Sequence, residues 1–208
     1  MRAVHPPGRP WRGRARRALE RHRQDRVRDP AVSGATLWLT GLSGAGKSTI
    51  AEALARDLRA DGRRVEVLDG DEIRTNLSAG LGFSREDRDT HVQRVAYVAR
   101  LLARNGVLAL VPVIAPYAAT RAAVRADHEA AGVPYLEAHV ATPVDECARR
   151  DVKGLYAAAA RGEVTTLTGV GDPYEPPEAP DIRLDTTDQE VGDSVSALRT
   201  LLTDKGIR

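Results

Sequence analysis

This chain predicts an α/β fold: a parallel sheet covered by helices on both faces. Short apolar runs with strand character alternate with stretches of helical periodicity from residue 36 to residue 202. Between the first such run and the first helix stands Gly41-Leu42-Ser43-Gly44-Ala45-Gly46-Lys47-Ser48, which reads G-x-x-x-x-G-K-S. The second run ends in Leu68-Asp69-Gly70-Asp71, and open parallel sheets bind ligands beyond the carboxyl ends of their strands.

The expected strands are 36–40, 65–68, 107–114, 135–141 and 182–184. The expected helices are 47–60, 86–105, 120–130, 143–149, 155–161 and 189–202. The first strand, Thr36-Leu37-Trp38-Leu39-Thr40, is apolar at its centre. In the longest helix Val92, Val95, Ala96, Ala99, Leu102 and Ala103 recur at three and four residues, which marks its buried face. Asn105-Gly106 stops that helix. Ser84 with Asp87 fits the capping box at its start only loosely, because an acid stands where Glu or Gln is usual. Residues 162–180 are rich in Gly, Pro and Thr and read as irregular; a long loop in a compact domain is usually functional.

The glycine-rich segment is a phosphate-binding loop of the P-loop NTPase kind. Glycines let the backbone curl so that successive N–H groups meet phosphate oxygens, and the following helix adds its positive end. Lys47 can reach the outer phosphates and the Ser48 hydroxyl can ligate Mg²⁺. The substrate class is therefore a nucleoside triphosphate with magnesium.

Phosphoryl transfer to a hydroxyl needs a group that orients the hydroxyl and accepts its proton. Asp71 is the candidate, with Asp69 as helper or as part of the magnesium water shell. Asp71 could also cap a short helix running through Ile73, and the two roles can coexist. An anionic acceptor would need cations such as Arg74, one turn on, and Arg88, although each taken alone also reads as a surface residue. Lys153-Gly154 opens a basic helix beside a flexible loop, as expected of a lid that excludes water, although Lys153 alone also reads as a solvated surface lysine.

Composition narrows the class further. The 208 residues suffice for one α/β domain. Cys147 is the single cysteine, so neither an internal disulfide nor a cysteine zinc site is possible, in keeping with a reducing cytoplasm. No apolar run approaches the ~20 residues of a membrane span, and no secretory signal pattern opens the chain. Residues 1–30 hold ten Arg against Glu20, Asp25 and Asp29, a net +7, so the rest of the chain carries 2 − 7 = −5. Residues 1–33 read as a basic, flexible arm; such charge runs ordinarily solvate, so a nucleic-acid partner is not favoured. Residues 34–208 are expected to form one P-loop kinase domain, with a lid at about 151–177.

At this point the chain resembles a family. GLSGAGKST (41–49), LDGDEIR (68–74), LGFSREDR (81–88), VIAPY (113–117), CARRDVKGLY (147–156) and LTGVGDPYEPP (167–177) look like adenylylsulfate kinase in order and spacing. The resemblance implies a doubly wound parallel five-stranded sheet of the nucleotide-kinase type. It implies transfer of the ATP γ-phosphoryl to the 3′-hydroxyl of adenosine 5′-phosphosulfate. Gly41, Ser43, Gly44, Ala45, Gly46, Lys47, Ser48 and Thr49 would cradle the ATP phosphates, Ser48 would meet Mg²⁺, and Arg150 would lie against the ATP adenine. Asp69 and Asp71 would line the acceptor hydroxyl, Phe83 would stack on the acceptor adenine, and Arg74 and Arg88 would hold the phosphosulfate. Lys153 would come from the lid, with Leu155 beside it. Ile114, Ala115, His91 and Leu167 would complete the acceptor pocket. The resemblance also implies a homodimer.

The chain departs from the family pattern at His91 (usually Asn), Ala115 (usually Ser), Ala118 (usually Arg), Leu167 (usually Phe) and Gly171 (usually an acid). Three of these changes are expected around the acceptor pocket. A second reading therefore stands: a related kinase whose ATP half serves a different hydroxyl acceptor, another nucleotide or a small metabolite. A nucleotide-binding regulator without catalysis is opposed by the intact Lys47, Ser48, Asp69, Asp71 and Lys153.

Overall fold

The computed structural model describes residues 34–207. The basic arm expected at residues 1–33 lies outside the described residues. Five strands, β1 (Ala35–Thr40), β2 (Val65–Val67), β3 (Leu108–Pro112), β4 (Tyr135–Val140) and β5 (Ile182–Leu184), form one sheet in the order β2-β3-β1-β4-β5. Every pairing is parallel. Seven helices complete the described residues: α1 (Lys47–Ala60), α2 (Gly70–Leu77), α3 (Arg85–Arg104), α4 (Ala118–Ala130), α5 (Val144–Arg150), α6 (Leu155–Ala160) and α7 (Val191–Asp204).

Strand β1 is buried at every position, as a central strand with helices on both faces must be. Its side chains alternate between two cores. Leu37 and Leu39 pack with Ile50 and Leu54 of α1 and Leu198 of α7. Trp38 packs on the opposite face with Val95 and Ala99 of α3 and Val124 of α4. The sheet is thus doubly wound, with β3 and β4 on either side of β1. That arrangement opens a crevice at the carboxyl end of β1.

Four expectations need correction. Strand β3 ends at Pro112 rather than Ile114, because proline has no N–H for the ladder and Ala115 turns left-handed at φ 43°. Helix α2 runs on to Leu77, well past Ile73. Helix α6 has the sequence LYAAAA and is not basic; the nearby cations are Lys153 before it and Arg161 at its C-cap. The loose capping box at α3 is half a box. Ser84 accepts from the Asp87 N–H at 3.1 Å, while the short Asp87 side chain accepts from Gly82 N–H at 3.0 Å.

Candidate active site

The phosphate loop owes its path to close approaches. A Cβ at Gly41 would sit 2.3 Å from the Val140 carbonyl oxygen, so only glycine passes there. Gly46 is left-handed at φ 98° and caps α1. Neighbouring elements tether the loop's carbonyls. Thr142 and Thr186 hydroxyls reach the Ala45 oxygen at 3.1 and 3.2 Å, and the Tyr156 hydroxyl donates to the Ser43 oxygen at 2.9 Å. Lys47 lies inside this cradle, 8% exposed, with Nζ donating to the Leu42 oxygen at 2.7 Å. Burial first, then the cation of Lys153, lowers its pKa to about 8.

Asp69 stands at the end of the strand that follows. Its Oδ2 accepts from the Ser48 hydroxyl at 2.6 Å, and its Oδ1 accepts from the Asp71 N–H at 2.9 Å. Asp69, not Asp71, is the N-cap of α2. The cap role weighed for Asp71 therefore belongs to its neighbour. Asp71, in the first turn of α2, keeps its carboxylate free of the helix and 73% exposed toward the cleft. Lys153 of the 151–154 loop forms an ion pair with it across the cleft.

Beyond Asp71 the cleft is walled by Arg74, Phe83, Arg88, His91 and residues 112–116. The Arg74 guanidinium lies 4.7 Å from the centre of the Phe83 ring and donates to the Gly82 oxygen at 2.9 Å. Phe83 itself is 55% exposed. Arg88 is turned to internal work. It donates to the Phe83 oxygen (2.9 Å), the Thr168 hydroxyl (2.9 Å), the Thr166 oxygen (2.6 Å) and the Asp172 carboxylate (2.8 Å). It therefore fastens the 166–172 segment to α3, a duty set by partners 78 to 84 positions away that no local pattern reports.

At the opposite end, Arg150 is held flat by Glu146 (2.7 Å) and by the hydroxyl and carbonyl of Thr186 (2.9 and 2.6 Å). Thr186, Gln189 and Val191 share this end of the cleft. Sequence reading missed all three; the signal was their place just after a strand, β5, whose carboxyl end faces the crevice.

The structure thus brings together the phosphate loop, Asp69, Asp71, Arg74, Phe83, Arg88, His91, Ile114, Ala115, Arg150 and Lys153 around one cleft of about 460 Å³. Leu155 and Leu167 are not among its walls. Leu167 is 6% exposed within the core under β1, and Leu155 packs against the same core. Apolar side chains without a polar duty go to the nearest core.

The family model described as adenylylsulphate kinase matches residues 33–185. The chain belongs to the adenylylsulphate kinase family. The adenylyl-sulfate kinase of Myxococcus xanthus is 57% identical over 150 residues, 72% of this chain and 80% of that protein. A Mycobacterium tuberculosis APS kinase, solved with AMPPNP and APS, superposes with a TM-score of 0.80 at 45% identity, over 82% of this chain and 98% of that one. A hexameric APS kinase from Thiobacillus denitrificans gives a TM-score of 0.66 at 36% identity, over 91% of this chain and 32% of that one.

Within the adenylylsulphate kinase family, the departures of this chain now have places. His91 and Ala115 line the cleft; Ala118 and Leu167 do not. Two of the pocket changes expected from sequence therefore stand at the site, not three. Ala118 opens α4 and its N–H donates to the Glu175 carboxylate at 2.7 Å. A Cβ at Gly171 would lie 1.9 Å from the Thr165 oxygen. The loop in this shape has no room for the usual acid.

Proposed function

We propose that this cleft transfers the γ-phosphoryl of ATP to the 3′-hydroxyl of adenosine 5′-phosphosulfate. One observation carries the reading. A single crevice has a phosphate loop in the middle, a base platform at Arg150 on one side, and Asp71, Arg74 and Phe83 on the other.

The residues divide the work. The phosphate loop and Lys47 hold the triphosphate. Lys47 donates to the Leu42 oxygen and forms no ion pair among the described residues, which suits it to follow charge onto the transferring phosphoryl. Ser48 Oγ and Asp69 Oδ2 are hard oxygen donors 2.6 Å apart at the loop's mouth. That set suits Mg²⁺, which takes one or two protein oxygens beside phosphate and water. When bound there, the ion neutralises charge on the β- and γ-phosphates. Asp71 orients the acceptor hydroxyl and takes its proton. Arg74 pairs with the phosphosulfate, and Phe83 offers a face to the acceptor adenine. Lys153 leaves Asp71 for the phosphates as residues 151–177 close, excluding water.

A second reading keeps the ATP half and changes the acceptor; His91 and Ala115 in the acceptor wall favour it. Turnover with Mg-ATP and adenosine 5′-phosphosulfate, detecting the 3′-phosphorylated product with Lys47→Ala as blank, separates the two. A kcat/KM of ~10⁴ M⁻¹s⁻¹ or more supports the first. No product from a folded chain that binds ATP supports the second. Asp71→Asn is expected to lower kcat by ~10²–10⁴.

The working unit in this reading is residues 34–208 as a homodimer in the cytoplasm, with the arm 1–33 dispensable for turnover. Light scattering tests the assembly, and a hexamer, as in the Thiobacillus denitrificans relative, is the competing outcome.

A further inference from the structure

Asp71 and Arg74 both ride on α2, and α2 has no buried residue. Ile73 packs partly against the core, while Leu77 is 45% exposed. Apolar burial is therefore too small to fix where this helix sits. Polar contacts at its two ends must do so. At the front, Asp69 caps the helix and meets Ser48.

At the back stands Ser78, the C-cap, 1% exposed. Its hydroxyl lies 3.0 Å from Nδ1 of His91 on α3. The backbone of Gly70, at the other end of α2, acts on the charge of the same ring. The imidazole therefore holds the residue that ends α2. One turn further along α3, Arg94 donates to the Leu77 oxygen at 2.7 Å. His91 is only 4% exposed, although it stands in the cleft wall. A neutral imidazole has one donor and one acceptor, and Nδ1 is taken up by the Ser78 hydroxyl. Burial, with the cations of Arg74 and Arg94, keeps the ring neutral, its pKa lowered to about 4.

We propose that His91 and Ser78 are positioning residues: their contact holds α2, and with it Asp71 and Arg74, in register with the cleft, and His91 does not bind the acceptor directly. The proposal rests on the functional reading for its substrate and on α2 itself for its geometry.

Steady-state kinetics on the full chain, varying each substrate, tests it together with amide hydrogen exchange. Ser78 does not line the cleft, so a ligand role for His91 leaves the amide exchange of α2 unchanged in Ser78→Ala. A positioning role gives Ser78→Ala and His91→Ala the same signature. Both lower kcat/KM for adenosine 5′-phosphosulfate about tenfold or more, and the KM for ATP stays within about twofold, because a small displacement of reacting groups is costly. The double variant is then no worse than His91→Ala. Exchange at the amides of residues 72–78 quickens in both variants of the free protein. His91→Asn places an amide near the position of Nδ1 and restores kcat/KM to within about threefold of the parent. Wild-type kinetics and exchange in Ser78→Ala, with His91→Ala impaired, overturn the proposal. If the parent chain makes no product from this acceptor, the functional reading fails, and the exchange at α2 still decides whether His91 and Ser78 hold it.

Discussion

Ser48 Oγ donates to Asp69 Oδ2 at 2.6 Å, joining the first turn of α1 to the N-cap of α2 across the ends of β1 and β2. The other oxygen of that carboxylate receives the Asp71 N–H at 2.9 Å. One side chain therefore serves both the metal side and the acceptor side. Asp69→Ala is expected to lose the cap, about 1 kcal/mol of stability, together with ~10²-fold or more in kcat. Asp69→Asn keeps an oxygen for the cap and should stay near parental stability while turnover still falls. Equal melting temperatures for the two variants would contradict the cap assignment.

Lys47 is expected to oppose stability while it serves turnover. Its folded pKa is about 8 against an ordinary 10.5, a difference of about 3 kcal/mol. Between pH 8 and 10.5 the unfolded chain holds a proton that the folded chain has released, so stability rises with pH across that window. Lys47→Met should melt a few degrees higher at pH 7, flatten that rise, and lose ~10³-fold or more in product formation. A lower melting temperature in the variant would show that the amine is well solvated in its cradle.

Asp172 is held by Arg88 at 2.8 Å, and that pair secures a segment with little other regular structure. Asp172→Ala is expected to cost about 1–3 kcal/mol and to speed tryptic cleavage after the exposed Arg161. The comparison is the cleavage rate under native conditions; an unchanged rate means the segment is held by its other contacts.

Acid should unfold the protein through its buried histidines. His91 and His139 both have pKa values lowered to about 4, mainly by burial. The unfolded rings bind protons from about pH 6.5 downward and the folded rings do not. Stability is therefore complete above pH 6.5 and falls as the pH drops toward 4, by about 3 kcal/mol for each ring. Carboxylates held low, such as Asp181, act below that window. His139→Asn should make the urea midpoint less dependent on pH between 6.5 and 4. An unchanged slope would assign the acid sensitivity to other groups.

Helix α2 shows why part of the molecule escaped a reading by sequence. It lacks a buried stripe, so periodicity has nothing to report beyond Ile73. Strands β1, β3 and β4 were legible for the opposite reason: buried at every position, they are largely apolar runs. Leu167 was read as a pocket residue by resemblance, yet it sits in the core at 6% exposure.

By itself the sequence determined the sheet and its helices, the phosphate loop, and the acids and cations that meet there. Those features are local, carried by apolar pattern and by spacing within a few residues. Only the tertiary structure decided that Asp69 and not Asp71 caps α2, that Arg88 grips residues 80 and 84 positions away, and that His91 turns to Ser78. The reason is physical: a buried polar group must find a partner, and which partner lies within 3 Å depends on how distant segments pack.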